Sequence, residues 1–80
     1  MTDQEAIAVV EKKRSELRIR RNMEVSSAEK AIVEYIKDRS KPGRVEDRIA
    51  WIIEMANSEG FVRVHVDDRT GDILEVLRTA

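Results

Sequence analysis

His65 is the only histidine in the chain, and histidine is the side chain that most often serves as a general base near neutral pH. Nucleophilic catalysis would need a serine or threonine and an orienting carboxylate beside it, and no recognisable motif supplies them. Val64 and Val66 flank His65 on either side, which is typical of a strand. The sequence therefore favours a structural or surface histidine, and it predicts no catalytic residue and no enzyme.

Carboxylates form the second group of residues with chemical potential. Asp67, Asp68 and Asp72 crowd one turn, but their spacing does not match a calcium loop and no bidentate glutamate follows at the required position. Glu46 and Asp47 precede the first predicted strand and read as solvated side chains. The three glycines, at positions 43, 60 and 71, cannot form a phosphate-binding loop. We therefore predict no metal site, no cofactor and no small-molecule substrate.

The segment from Lys12 to Arg21 is strongly basic, because six of its ten residues are Lys or Arg. Such a segment can bind nucleic acid or an acidic protein. Glu11 and Glu16 dilute the patch, however, aromatic residues are few, and the net charge of the chain is -1. Nucleic-acid binding is thus the alternative hypothesis, and a solvated helix face is favoured over it. The basic residues are Lys12, Lys13, Arg14, Arg18, Arg20 and Arg21.

Length and composition limit what can hold these residues in place. Eighty residues fit one small domain, and the absence of cysteine excludes disulfides and thiolate zinc sites. No apolar run is long enough to cross a bilayer, and the first residues lack a signal-peptide pattern. As written, the chain is expected to be cytoplasmic, and an envelope location stays open if it is an excised domain.

Two helices are predicted in the first half of the chain. Thr2 and Glu5 have capping-box spacing, which predicts a basic helix within residues 1–24. Ser26 and Glu29 repeat that spacing and predict a second helix, which would end at Arg39 or Ser40 and continue into a connector at residues 41–43. The second helix would bury a stripe of apolar side chains at helical spacing: Ala28, Ala31, Ile32, Tyr35 and Ile36.

The second half of the chain alternates with period two from Ile49 onward, which predicts strands. Asn57 to Gly60 and Asp67 to Gly71 are turn sequences, so the pattern predicts a three-stranded antiparallel meander that ends near Arg78. The predicted fold class is α+β, with residues 25–80 forming an αβββ domain. Its second helix would pack on the valine face of the sheet, and Trp51 would anchor the core.

The opposite face of this sheet carries apolar side chains as well. Ile52, Phe61 and one of Ile73 or Leu74 would lie there, and a bare face of this kind would be an apolar patch. The first helix could cover it, or a second copy of the chain could pack sheet to sheet. Both arrangements stay open, and self-association as a homodimer is slightly favoured.

The stretch from Ser26 to Arg78 resembles a PepSY domain, a small module of thermolysin-like metallopeptidase propeptides and of many bacterial envelope proteins. Residues 50–54, Ala-Trp-Ile-Ile-Glu, look like the tryptophan-bearing strand of that family. Residues 64–74 look like its valine, its aspartate and threonine-glycine turn, and its closing hydrophobic strand. The predicted helix from Ser26 would take the place of the family's helix.

The resemblance implies a non-catalytic regulatory domain that binds or restrains a peptidase or another protein. The expected contact surface is the sheet edge together with the face around Trp51 and Phe61, and a partner could add a strand to that edge. The partner would be another protein or a second copy of the chain. The candidate contact residues are Trp51, Ile52, Phe61, Arg63 and His65.

Overall fold

A computed structural model describes residues 1–36, 40, 43 and 45–79 of the chain. One helix precedes a four-stranded antiparallel sheet. The strands lie in the sheet in the order in which they occur along the chain. The elements are α1 (Asp3–Lys12), β1 (Glu24–Ile36), β2 (Val45–Asn57), β3 (Gly60–Asp67) and β4 (Ile73–Arg78).

Helix α1 begins where the capping box predicts. The Thr2 hydroxyl accepts a hydrogen bond from the backbone N–H of Glu5, and the Glu5 carboxylate accepts one from the backbone N–H of Thr2. These two bonds satisfy amide groups that a helix start leaves unpaired. The predicted extension of this helix towards residue 24 is wrong, because α1 ends at Lys12 and turns follow it. Most of the basic segment therefore lies outside the helix.

The predicted second helix is also wrong, since its residues form strand β1. Ile32, Val33 and Tyr35 are residue types that favour strands, and β1 pairs with β2 from Glu24 to Ile36. This long pairing outweighs a helix propensity that is only a weak preference. The fold is thus one helix and four strands rather than two helices and three strands. The predicted helix end and connector lie outside the described residues, apart from Ser40 and Gly43.

The other three strands overlap the predicted ones, but β2 starts at Val45 rather than at Ile49, so Glu46 and Asp47 lie within the strand and not before it. Asn57 pairs with Gly60 across the β2–β3 turn, and its side chain accepts hydrogen bonds from the backbone N–H groups of Glu59 and Gly60. The β3–β4 turn contains Gly71, whose φ angle of 77° lies in the left-handed region that favours glycine. The pairing of β3 with β4 contains a register shift between His65 and Val66.

The core lies between α1 and one face of the sheet, which we call the helix-side face. Ile53, Met55, Val64 and Val66 are fully buried on that face, and α1 contributes the fully buried Ala6 and Val10. Ile19 and Met23, from the segment after α1, complete the cluster. The valine face is therefore covered by α1, and the prediction that the Ala28 to Arg39 segment covers it is wrong.

Strands β1 and β2 continue beyond the rest of the sheet. The last pair between β2 and β3 joins Ala50 to Asp67, so residues 45–49 of β2 pair only with residues 32–36 of β1. We call these two segments the two-stranded arm. An isolated two-stranded ribbon is at best marginally stable in water. The stability of the arm therefore depends on what packs against it.

Candidate functional site

One face of the sheet points away from α1. Among the described residues, no helix or strand lies over it. Cross-strand pairs place Ile52 opposite His65, Glu54 opposite Arg63, and Ala56 opposite Phe61. We call this surface the open face. Where β2, β3 and β4 pair with one another, its side chains are Ala50, Ile52, Glu54, Ala56, Phe61, Arg63, His65, Asp67, Glu75 and Leu77, of which Ala50 and Asp67 are buried.

Four of the five candidate contact residues lie together on the open face, and Trp51 does not. Ile52, Phe61, Arg63 and His65 share that face, whereas Trp51 is paired with Val66 on the helix-side face. The predicted contact surface around both Trp51 and Phe61 is therefore divided between opposite sides of the sheet. Trp51 packs against the buried core cluster, as predicted for a core anchor.

Charged side chains on the open face are held in defined positions. The Arg63 guanidinium lies 2.9 Å from the Glu54 carboxylate and 5.4 Å from the centroid of the Phe61 ring. The Arg63 side chain is about 40 % exposed, so this ion pair contributes little to stability. The ion pair holds the Arg63 guanidinium over the Phe61 ring. The open face therefore has an apolar region next to a charged region.

His65 lies next to this group, with its Nδ1 atom 3.7 Å from the Glu75 carboxylate. Partial burial disfavours the charged imidazole and lowers the pKa of His65 below its usual value. Glu75 acts in the opposite direction and Arg63 in the same direction as burial, and burial has the largest influence. His65 is therefore mainly neutral at pH 7, although a carboxylate is near.

We expect the protein to lose stability as the pH falls below the pKa that His65 has in the unfolded chain, about 6.5. Between the unfolded pKa and the lower folded pKa of His65, the unfolded chain binds a proton that the folded chain does not. The free energy of unfolding therefore decreases as the pH falls through this range. Urea denaturation between about pH 5 and 8 measures this loss. His65→Gln should reduce the slope, and an unchanged slope would contradict the burial of His65. Carboxylates with low pKa add a separate loss at lower pH.

Trp51 belongs to a polar cluster at the N-terminal end of α1. Its indole N–H donates to Asp68 Oδ1 at 2.7 Å, and the N-terminal ammonium of Met1 lies 3.3 Å from the same oxygen. Lys30 lies 3.6 Å from Asp68 Oδ2 and 5.8 Å from the centroid of the Trp51 ring. The hydrogen bond from Trp51, with smaller help from Met1 and Lys30, lowers the pKa of Asp68.

Asp67 has a different role, although it is the neighbour of Asp68. Its carboxylate is almost fully buried and accepts hydrogen bonds from the backbone N–H groups of Arg69 and Thr70. Arg48 donates to it at 2.9 Å and also binds Glu46. Asp67 and Asp68 thus stabilise the turn from two sides. Among the residues that the structure describes, no group of three His, Cys, Asp or Glu side chains could hold a metal ion.

The basic segment folds back on the protein rather than forming a continuous helical surface. Arg14 binds Glu11 and donates to the backbone oxygens of Arg20 and Met23, which closes the loop after α1. Arg20 is paired with Glu59 at 2.8 Å. Lys12, Arg18, Arg20 and Arg21 are exposed, and Lys13 is half-buried. Arg14 is therefore a structural residue, which its position in a basic run did not indicate.

No family model, no curated protein and no solved structure matches this chain. Within residues 1–36 and 45–79, which contain every described helix and strand, no helix has the length and apolar character needed to span a membrane. The open face and the edges of the sheet therefore carry the functional argument.

Proposed function

We propose that this chain is a non-catalytic protein-interaction domain of the PepSY-like type, which binds a protein partner through the open face and restrains it. The resemblance implies a peptidase or another protein as the partner, and a thermolysin-like metallopeptidase is the first one to test. The observation that carries the proposal is the open face itself, where apolar and charged side chains are held in fixed positions outside the core.

The chemistry of the open face suits a protein partner. Ile52 and Phe61 offer apolar area, and Arg63 offers a cation whose position is fixed by Glu54. Aromatic and arginine side chains are the types most often found at the energetic centre of protein interfaces. Because α1 already covers the opposite face, docking on the open face would not disturb the core.

Two of the three parts of the resemblance support the proposal. The tryptophan-bearing segment lies in β2, and the valine, aspartate and threonine-glycine segment forms the β3–β4 hairpin. The third part, a helix from Ser26, does not, because that segment is strand β1. A single helix does precede the sheet, at Asp3–Lys12.

The proposal predicts that the wild-type chain lowers the activity of the mature domain of a thermolysin-like metallopeptidase towards a chromogenic peptide. Phe61→Ala should raise the concentration needed for half-maximal inhibition about tenfold or more, since it removes the aromatic ring beneath Arg63. Ile36→Ala is the matched control, because it removes an exposed apolar side chain on the other face. Circular dichroism should show that both variants fold.

The inhibition assay tests the identity of the partner and the location of the contact surface separately. If the wild-type chain remains intact and leaves the peptidase rate unchanged at every concentration, the peptidase is not the partner and the proposed restraint is rejected. If the wild-type chain inhibits and Phe61→Ala inhibits equally well, the open face is not the contact surface.

A further inference from the structure

Strand β1 forms one outer edge of the sheet, and no other described strand pairs with its outer side. The register shift in β1 lies between Val25 and Ser27, and from Ala28 to Ile36 the pairing with β2 is regular. Proteins usually protect a long edge strand with a proline, a bulge or several lysines. The segment from Ala28 to Ile36 contains no proline and no bulge, and its three charged residues, Glu29, Lys30 and Glu34, are of both signs, so they can pair with one another across two copies.

The arm beside this edge exposes large apolar side chains on the helix-side face. Ile32 is 72 % exposed and faces Ile49, which is 52 % exposed. Ile36 and Val45 form a second pair, at 44 % and 47 %. Helix α1 does not cover them, so four of the five exposed large apolar residues among those described lie together on one side of the arm.

We propose that two copies of this chain join edge to edge, with β1 antiparallel to β1 and Ile32 of one copy directly opposite Ile32 of the other. The occupant of this edge is therefore a second copy of the same chain. The surface lies apart from the open face, and the inference does not depend on the proposed function.

Symmetry limits the registers that are available. Directly opposed residues in an antiparallel pair point to the same side of the sheet, so a two-fold axis between identical strands must pass through a residue position rather than between two. Centred on Ile32, the pairing places Lys30 opposite Glu34 of the second copy, and Glu34 opposite Lys30. Each opposite-charge pair of this kind is stabilising. Glu34 has no ion-pair partner within the described chain.

The same register also matches side-chain size. Ala28 lies opposite Ile36 of the second copy, and Ala31 lies opposite Val33. In each of these pairs, the small side chain of alanine lies opposite a larger apolar side chain. On the helix-side face, Ile32 and Ile49 of both copies come together at the centre, which buries part of Ile32, the most exposed large apolar side chain among the described residues.

The neighbouring registers lack this complementarity. A pairing centred on Lys30 or on Glu34 would place two like charges directly opposite each other, which is destabilising. A pairing centred on Ala31 would oppose Lys30 to Ile32, and one centred on Val33 would oppose Lys30 to Ile36. Neither of these forms an ion pair. The Ile32 register is the only one of the five that pairs both charges.

The resulting assembly is an eight-stranded antiparallel sheet with both α1 helices on one side. Both open faces lie on the other side and remain free, because the two-fold axis is perpendicular to the sheet. The dimer would therefore present two copies of the open face side by side.

The test is a charge exchange followed by light scattering over a concentration series. The wild-type chain should show a dimer that dissociates on dilution. Glu34→Lys should raise the dissociation constant about tenfold or more, because both cross-copy pairs become Lys opposite Lys. The double variant with Lys30→Glu and Glu34→Lys should restore association relative to Lys30→Glu alone, which serves as its reference because Lys30→Glu also removes the ion pair with Asp68. Ile32→Lys should also abolish the dimer, and Leu77→Lys, on the β4 edge, is the matched control that should not.

Thermal unfolding at low concentration shows whether each variant folds as a monomer. Glu34 and Ile32 are exposed, so their single variants should fold. A wild-type chain that is monomeric at all concentrations overturns the inference. A dimer that Glu34→Lys and Ile32→Lys leave intact also overturns it, and loss of that dimer in Phe61→Ala would place the contact on the open face instead.

Discussion

Asp67→Ala is expected to lower the free energy of unfolding by about 2 to 4 kcal/mol, which is a large part of the stability of a domain of this size. The substitution removes a buried carboxylate that accepts from the backbone N–H groups of Arg69 and Thr70 and from Arg48. The two amide groups and the guanidinium would lose their acceptor. Urea denaturation followed by circular dichroism measures the loss.

Two further variants show whether the acceptor oxygens are the cause. Asp72→Ala removes an exposed carboxylate of the same turn and should change the stability by less than about 0.5 kcal/mol. Asp67→Asn keeps one acceptor oxygen and should fall between the other two variants. Equal effects of Asp67→Ala and Asp72→Ala would contradict the role that we assign to Asp67.

The charge state of Asp67 adds a pH dependence with a defined sign. Burial disfavours the carboxylate and is the largest single influence, but the bonds from Arg69, Thr70 and Arg48 together outweigh it and lower the pKa of Asp67. A lowered folded pKa means that the stabilisation is present above the unfolded pKa, about 3.9, and is lost as the pH falls through the folded pKa. In Asp67→Asn, this contribution to the decrease in stability at low pH should be absent.

Ile53→Ala is expected to cost about 2 to 5 kcal/mol, while Ile52→Ala should cost about 1 kcal/mol. The two residues are neighbours on β2 and have the same side chain, so the comparison isolates the effect of the face. Ile53 is fully buried beneath α1, whereas Ile52 is half-buried on the open face. Chemical denaturation of both variants at low protein concentration provides the values.

Similar losses for the two variants would mean that both faces of the sheet are covered in the monomer. A larger loss for Ile52→Ala than for Ile53→Ala would mean that α1 packs on the opposite face from the one described. Either result would remove the open face as a docking surface.

The strands and turns from Ile49 to Arg78 could be predicted because the residue pattern of each segment fits one type of secondary structure only. Period-two alternation, the Asn57 to Gly60 turn and the turn at Gly71 all indicate antiparallel strands, and the structure has strands there. The capping box at Thr2 likewise indicates one structure, because the residues that follow Glu5 suit a helix.

Strand β1 could not be recognised because its residues fit two periods. Ala28, Ala31, Ile32, Tyr35 and Ile36 fit a helical stripe, yet Ala31, Val33 and Tyr35 also alternate along one face of a strand. The Ser26 to Glu29 spacing matches a capping box by coincidence. What decides the structure is the pairing with β2, a contact between distant parts of the chain that local spacing does not encode.

For the candidate contact residues too, the pairing between strands decides which side chains share a face. A two-residue turn pairs Asn57 with Gly60, so Phe61 must share a face with Ala56 and Ile52 and not with Trp51. Period two already places Ile52 and Phe61 on the face opposite the valines, so Trp51, which alternates with Ile52, should not have been grouped with Phe61. The role of Arg14 could not have been predicted, because it depends on backbone oxygens of residues that lie in an irregular loop.

Nuclear magnetic resonance shows residue by residue whether the open face is the contact surface for a protein partner. An isotope-labelled chain is titrated with an inhibitor-inactivated thermolysin-like metallopeptidase, and backbone signals are followed residue by residue. We predict that signals of Ile52, Phe61, Arg63 and His65 shift or broaden at the lowest ratios, while those of Ala6 and Val10 in α1 do not. Changes confined to α1, or no change at saturating peptidase, would contradict the claim.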